Sequence, residues 1–300
     1  MGARHILLYA LTSSFASGLL SAAAPIPVML LEGESAGPYH AWKQTTPVLK
    51  KELEETGLFR VDVVTATDPG QFKAEFDKYK AVVLNYDAAD WPAATKKAFE
   101  QYVANGGGVV VVHAADNAFA VWPEFNKIIG IGGWRNRNEA AGPHWFWENG
   151  KLNADTAPGP AGSHGARLPF QLTTRAPEHP IMKGLPRVWM HQGDELYARM
   201  RGPGENMTVL ATAFSDPANK GTGHDEPILM TIAYGKGRIF HTTMGHDVPA
   251  LSCVGFIVTV QRGAEWAATG KVTQKVPEGF PTDATVSYRP DIAAMVPAPK

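Results

Sequence analysis

The run Gly106-Gly107-Gly108-Val109-Val110-Val111-Val112-His113 constrains this chain more than any other segment. Four successive valines leave no polar face, so the segment reads as a strand buried on both sides, the condition of a parallel strand between two helical layers. Ligands of such sheets bind outside the carboxyl ends of the strands, and His113 stands at such an end. His40, His191, His241 and His246 also follow strand-like segments. The pattern predicts that several imidazoles share one mouth.

The flanking sequence extends the pattern. Residues 26–31 read as a short apolar strand and 42–56 as a helix with Val48, Leu49 and Leu53 at helical spacing, stopped by Gly57. Residues 60–65 and 79–85 read as further strands. Trp91-Pro92 opens a helix running to Asn105, with Gly106 as its stop. Parallel neighbours need crossover helices, so this succession favours a right-handed, mostly parallel sheet. Residues 114–187, rich in Gly, Pro, Trp and Asn, read as an irregular insertion of the kind that covers or builds a site. Strands resume at 208–214, 227–234 and 238–243, with a hairpin turn at Tyr234-Gly235-Lys236-Gly237, and a last helix spans 250–269. From Lys271 the chain is Pro-rich and reads as a surface tail over 271–300, following an α/β domain over 25–270.

Composition narrows the function. A formal net charge of −1 with scattered Lys and Arg excludes an electrostatic footprint for nucleic acid. Arg4 and His5, the apolar stretch 6–20 and the small residues Ser21-Ala22-Ala23-Ala24 read as a signal peptide over 1–24, predicting an exported, periplasmic or secreted protein with no membrane span after cleavage. The single cysteine, Cys253, allows no intramolecular disulfide and reads as a buried small hydrophobe. The chain lacks GxSxG, GxxxxGK[ST], HExxH and a GxGxxG after the first strand, which removes support for serine hydrolase, nucleotide-binding and zincin chemistry and for any nucleotide cofactor.

Histidines and carboxylates remain. His113 with Asp116 puts an imidazole and a carboxylate one turn apart, suited to general base, metal-ligand or donor roles. In His191-Gln192-Gly193-Asp194-Glu195, Glu195 shares the face of His191 if the piece is helical, and Gly193 and Glu195 share it if extended. His241 lies within the last strand and His246 in the loop beyond it, which favours His246 as the functional one; Asp247 suits a helix start. Trp42 and the Trp134 to Trp147 cluster offer faces for sugar rings. The expected metal ligands are His113, His191 and His246, a set that suits zinc or another first-row divalent ion.

The chain resembles the ThuA-like group, named for trehalose utilisation, whose fold is that of the class I glutamine amidotransferases: a flavodoxin-like three-layer sandwich. The resemblance rests on His40-Ala41-Trp42-Lys43 with Thr45-Thr46-Pro47, the run ending His113-Ala114-Ala115, Gly133-Trp134-Arg135, His179-Pro180-Ile181, Asp194-Glu195-Leu196-Tyr197, and Tyr234-Gly235-Lys236-Gly237-Arg238 through His246-Asp247. Amidotransferases carry a nucleophilic cysteine after the strand that here ends at His113, and none is present, which excludes amidotransfer in its usual form. The group's link to disaccharide catabolism implies a small carbohydrate, a 3-keto-glycoside, as substrate. On that reading, cleavage by elimination or hydrolysis, or isomerisation, begins when His113 or Glu195 removes the acidified C2 proton; a metal or His246 stabilises the enediolate, His40 protonates the leaving oxygen, Asp116 assists, and Trp42, Trp134, Arg135, Asp194 and Asp247 bind substrate. The rivals are a noncatalytic carbohydrate-binding protein and a direct glycosidase built on Asp116, Asp194 or Glu195.

Overall fold

The computed structural model describes residues 24–35 and 39–295, so the leader expected over 1–24 lies almost wholly outside the described residues. The strand β1 (Ile26–Ser35) leads to helix α1 (Trp42–Glu54), then β2 (Phe59–Ala66), β3 (Ala81–Asp87), α2 (Ala93–Ala104) and β4 (Gly108–Val112). After α3 (Pro123–Ile129) come β5 (His144–Glu148), β6 (Lys151–Asp155), β7 (Leu168–Thr174), β8 (Val188–Asp194), β9 (Met207–Phe214), β10 (Asp225–Tyr234) and β11 (Gly237–Thr242). Helices α4 (Val248–Leu251), α5 (Val254–Thr269) and α6 (Pro290–Ala293) follow.

One mixed sheet runs in the order β2-β1-β3-β4-β11-β10-β9-β7-β8. Strands β2, β1, β3, β4 and β11 are mutually parallel, and β10, β9, β7 and β8 extend the sheet antiparallel. The parallel half has the 2-1-3-4-5 order of doubly wound sheets, with its switch point between β1 and β3. All five residues of β4 are buried, as the valine run requires. Odd and even residues of the parallel strands feed two cores. Val110 and Val112 pack with α1 and α5 on one face, while Val109 and Val111 pack with α2 and α3 on the other.

Three expectations need correction. Residues 114–187 are not irregular throughout: they hold α3 and three strands, and Asn149-Gly150, both at positive φ (53° and 78°), turns β5 into β6 as an Asn-Gly hairpin does. The last helix is broken at Cys253, whose extended backbone (φ −64°, ψ 126°) forms a bridge with Tyr288. The C-terminal segment therefore does more than lie on the surface. It hydrogen-bonds Val254, Met190 and Ser252 and buries Phe280 and Ile292 in the core.

Helix α5 sits close against the sheet because Gly263 faces the buried ring of Phe240; a Cβ there would come within 2.2 Å of the ring. Gly263→Ala is expected to cost about 1–3 kcal/mol through overpacking, read as a lower denaturant midpoint with unchanged slope.

Candidate functional site

The carboxyl ends of five strands deliver the site. His40 lies between β1 and α1, Asp87 ends β3, His113 follows β4, Glu195 follows β8, and His246 sits in the loop from β11 to α4. His113 turns out of its strand at φ 47°, a left-handed value disfavoured for a residue with a Cβ. Its Nδ1 donates to the Thr243 carbonyl at 2.7 Å, which fixes the ring and turns Nε2 toward the site. The Tyr197 hydroxyl lies 2.8 Å from that Nε2 and 3.5 Å from Nε2 of His40.

Glu195 is the hub. Its Oε2 lies 3.6 Å from His113 Nε2 and 3.1 Å from His246 Nδ1, and its Oε1 lies 3.7 Å from His164 Nε2. The rings of His40, His113 and His246 meet edge to face, their centroids 5.1 to 5.4 Å apart. Below this cluster Asp194 is fully engaged: its oxygens accept the backbone N–H groups of Glu195, Gly245 and His246 and face His191 Nε2 at 2.9 Å. A cavity of about 380 Å³ opens over the cluster, lined by Tyr39, His40, Asp87, Asn117, Trp134, Arg135, His164, Glu195 and Tyr197. That volume suits a small molecule.

Charge is distributed unevenly. Burial, together with the like charges of His113 and His246, pulls His40 down to about 3, so this imidazole is neutral. Burial opposes charge on His113, but Glu195, Asp194 and the Thr243 carbonyl outweigh it and hold the ring above its ordinary value. Burial likewise opposes ionisation of Glu195, and the hydrogen bonds and charges of His113 and His246 override it, holding the carboxyl well below the usual range. Asp87 goes the other way. Burial pushes it up to about 6 in spite of Arg135.

His40, His113, Glu195 and His246 form a group that can hold a metal ion. A neutral His40 and an ionised Glu195 are in the forms a metal ligand must take, His113 is oriented through its second nitrogen, and Nδ1 of His40 is buried without a partner. Ligands at about 2.0–2.2 Å from one ion lie no more than about 4.4 Å apart. The donor atoms of the group lie within 4.8 Å of one another, so a small contraction closes it.

The structure thus brings together His40, His113, Glu195 and His246, with Trp134 and Arg135 on the cavity wall, and leaves other expected residues outside. His191 is not among the grouped ligands; it is fully buried on Asp194. Asp116 is fully buried and faces His241 Nε2 at 3.1 Å, so it braces the turn after His113 from behind. Asp194 has both oxygens engaged by backbone N–H groups and His191 and does not line the cavity. Asp247 caps α4 through the Ala250 N–H and pairs with Arg167, while Trp42 lies half-buried at the start of α1; neither lines the cavity. His40, held neutral, must take a proton before it can give one to a leaving oxygen. The sequence did not single out Asp87, Asn117 or His164, and Tyr197 stood in a motif without a role, although Asp87 obeys the same strand-end rule that singled out His113.

Sheet order and site position define a doubly wound α/β protein with helices on both faces and its chemistry at the strand carboxyl ends. The family model described as trehalose utilisation (ThuA) matches residues 28–267, and the chain belongs to that family. A crystal structure of a ThuA-like protein from Parabacteroides merdae is 49% identical, covers 90% of this chain and 99% of its own, and superposes with a TM-score of 0.85. A ThuA-like protein from Bacteroides uniformis is similar at 21% identity, with 84% and 95% of the two chains covered and a TM-score of 0.54. A search of curated proteins finds no match. Among the described residues no helix is long and apolar enough to cross a membrane.

His191 carries a pH signature. Burial alone pulls it down, but the Cys253 sulfur and the Asp194 carboxylate outweigh it and push it up to about 9 from 6.5. Because the folded value is the higher, protonation of His191 supports the fold fully below pH 6.5, and that support fades as pH rises through 9. The difference in unfolding free energy between wild type and His191→Gln is expected to shrink across that window, as measured by urea unfolding at stepped pH.

Proposed function

We propose that this chain is an exported enzyme acting on an oxidised glycoside, a 3-keto-glucoside, by proton abstraction beside the ketone. The observation that carries the reading is the cluster of three imidazoles and one ionised carboxylate, two of whose members, His40 and Glu195, line a small-molecule cavity walled by a tryptophan. Membership of a trehalose-utilisation family supports a carbohydrate substrate, and the basic, apolar and small-residue segments at 1–24 support export.

The C3 ketone acidifies the C2 hydrogen. His40, neutral and on the cavity wall, takes that proton. The freed electron pair is shared with the ketone oxygen as an enediolate, to which the Tyr197 hydroxyl donates; burial and the charges of Asp116 and Glu195 keep that hydroxyl protonated. The pair then forms the C1–C2 double bond, the C1–O bond breaks, and the leaving oxygen takes a proton from His40. His113 and Glu195 hold Tyr197 and the charge balance in place. A first-row divalent ion held by His113, Glu195 and His246, with His40 left free as the base, would supply Lewis-acid polarisation of the ketone oxygen.

An NMR time course with methyl 3-keto-glucoside and methyl glucoside tests the reaction. Only the keto sugar is expected to turn over, and His113→Ala and Glu195→Ala are each expected to lower the rate by about 100-fold or more. Near-normal rates in both variants would sink the assignment. Binding of both sugars with no turnover of either would leave a carbohydrate-binding protein.

For the metal, elemental analysis of protein grown with added zinc is expected to find about one first-row ion per chain, lost in Glu195→Ala. A stoichiometry far below one, with no response of turnover to metal or chelator, would remove the ion from the reading.

A further inference from the structure

The cavity wall carries two polar side chains that the reaction above does not use. Asp87 is 1% exposed and Asn117 4%; both line the cavity, yet Asp87 Oδ2 and Asn117 Oδ1 have no hydrogen-bond partner. Leaving a buried acceptor unpaired is costly, so two in one cavity point to donors that arrive with a ligand. The rest of Asp87 is taken: Arg135 donates to its Oδ1 through Nε and Nη2 at 3.2 and 2.9 Å and to its carbonyl at 3.0 Å. This clamp leaves one carboxylate oxygen aimed and open.

The loop that supplies the clamp is built under strain. Trp134, Arg135 and Asn136 are successive non-glycine residues at φ 49°, 49° and 62°, a conformation disfavoured at each one. The buried guanidinium of Arg137 staples the turn, donating to the carbonyls of Asn117, Ala118 and Gly133 and to Asn126 Oδ1. The same guanidinium therefore fixes the backbone of both Asn117 and the strained turn. Strain of this kind persists where a site over-determines it.

We infer that Asp87 and Asn117 are a hydroxyl-recognition subsite that accepts the O–H groups on the non-reacting edge of the substrate ring, the 4- and 6-hydroxyls, while Trp134 covers the ring face. Two open acceptors match two O–H donors. In a 3-keto-glucoside the 2-hydroxyl sits on the reacting carbon, so the hydroxyls left for Asp87 and Asn117 are those at C4 and C6. The assignment of those two hydroxyls rests on the proposed reaction; recognition of hydroxyls as such does not.

The test is calorimetric binding of methyl glucoside, methyl 3-keto-glucoside and their 4-deoxy and 6-deoxy counterparts to wild type, Asp87→Asn, Asp87→Ala and Asn117→Ala, beside turnover of the keto sugars. Asp87→Asn keeps the side-chain volume should the alanine variant unfold. Wild type is expected to lose about tenfold or more in affinity for each deoxy sugar, and Asp87→Ala and Asn117→Ala to bind the parent no better than one of them. If wild type turns over the keto sugar but the folded variants keep its full deoxy penalties, the subsite is wrong and the reaction stands. If wild type binds the sugars with those penalties and converts none, the reaction is wrong and the subsite stands. If it binds none of the sugars, both fall.

Discussion

The site depends on one buried carboxylate. Asp194 accepts three backbone N–H groups from two separate loops and faces the ring of His191, with no oxygen left for solvent. Those N–H groups belong to Glu195, Gly245 and His246, so a single side chain sets the spacing between the hub carboxylate and one of its imidazoles. A carboxylate with this many donors is held ionised in spite of burial. Its negative charge in turn raises His113. Geometry and electrostatics of the cluster thus share one origin, and it lies a layer below any residue that touches the cavity.

The left-handed backbone at His113 and at residues 134–136 marks the other places where local preference yields to the site. Each needs an external tie. For His113 it is the Thr243 carbonyl across the sheet; for the turn it is Arg137, whose charge is retained although burial lowers it to about 10. The first tie spans 130 residues, those of Arg137 reach back 4 to 20, and Arg135 beside it reaches 48 residues to Asp87 at the end of β3. The irregular stretch is therefore part of the folded unit, anchored to the strand ends rather than laid over them.

Much of this was legible in the sequence, and the reasons for the rest are physical. The valine run and strand-end histidines placed the parallel sheet and most of the cluster, because burial on both faces and the strand-end rule are local signals. His191 misled because it sits on a strand that bulges: Leu168 pairs with Asp194 but Phe170 with His191, an extra residue on β8. That extra residue turns Asp194 to His191 and sends Glu195 to the cavity, which neither a helical nor a regular extended reading foresaw. Asp116 misled because nearness in sequence to His113 says nothing about which side of the turn it faces. Tyr197 and Asn117 carry no pattern of their own; only the tertiary arrangement brings them to the cavity.

Two carboxylates line the cavity, one held low and one raised, and such a split is how acid and base roles are assigned in many hydrolases. Here their surroundings argue against a direct glycosidase. Glu195 is spent on its neighbours: one oxygen faces His113 and His246 and the other His164, so neither lies free for attack at an anomeric carbon. Asp87 is clamped by the positive guanidinium of Arg135, whose charge opposes its holding a proton for a leaving group. A carboxylate fixed by arginine with one oxygen open orients hydroxyls well and shuttles protons badly. On the reaction proposed above, the mobile proton chemistry falls instead to His40 and to the Tyr197 hydroxyl, which is the division of labour expected when a substrate already carries an acidifying ketone.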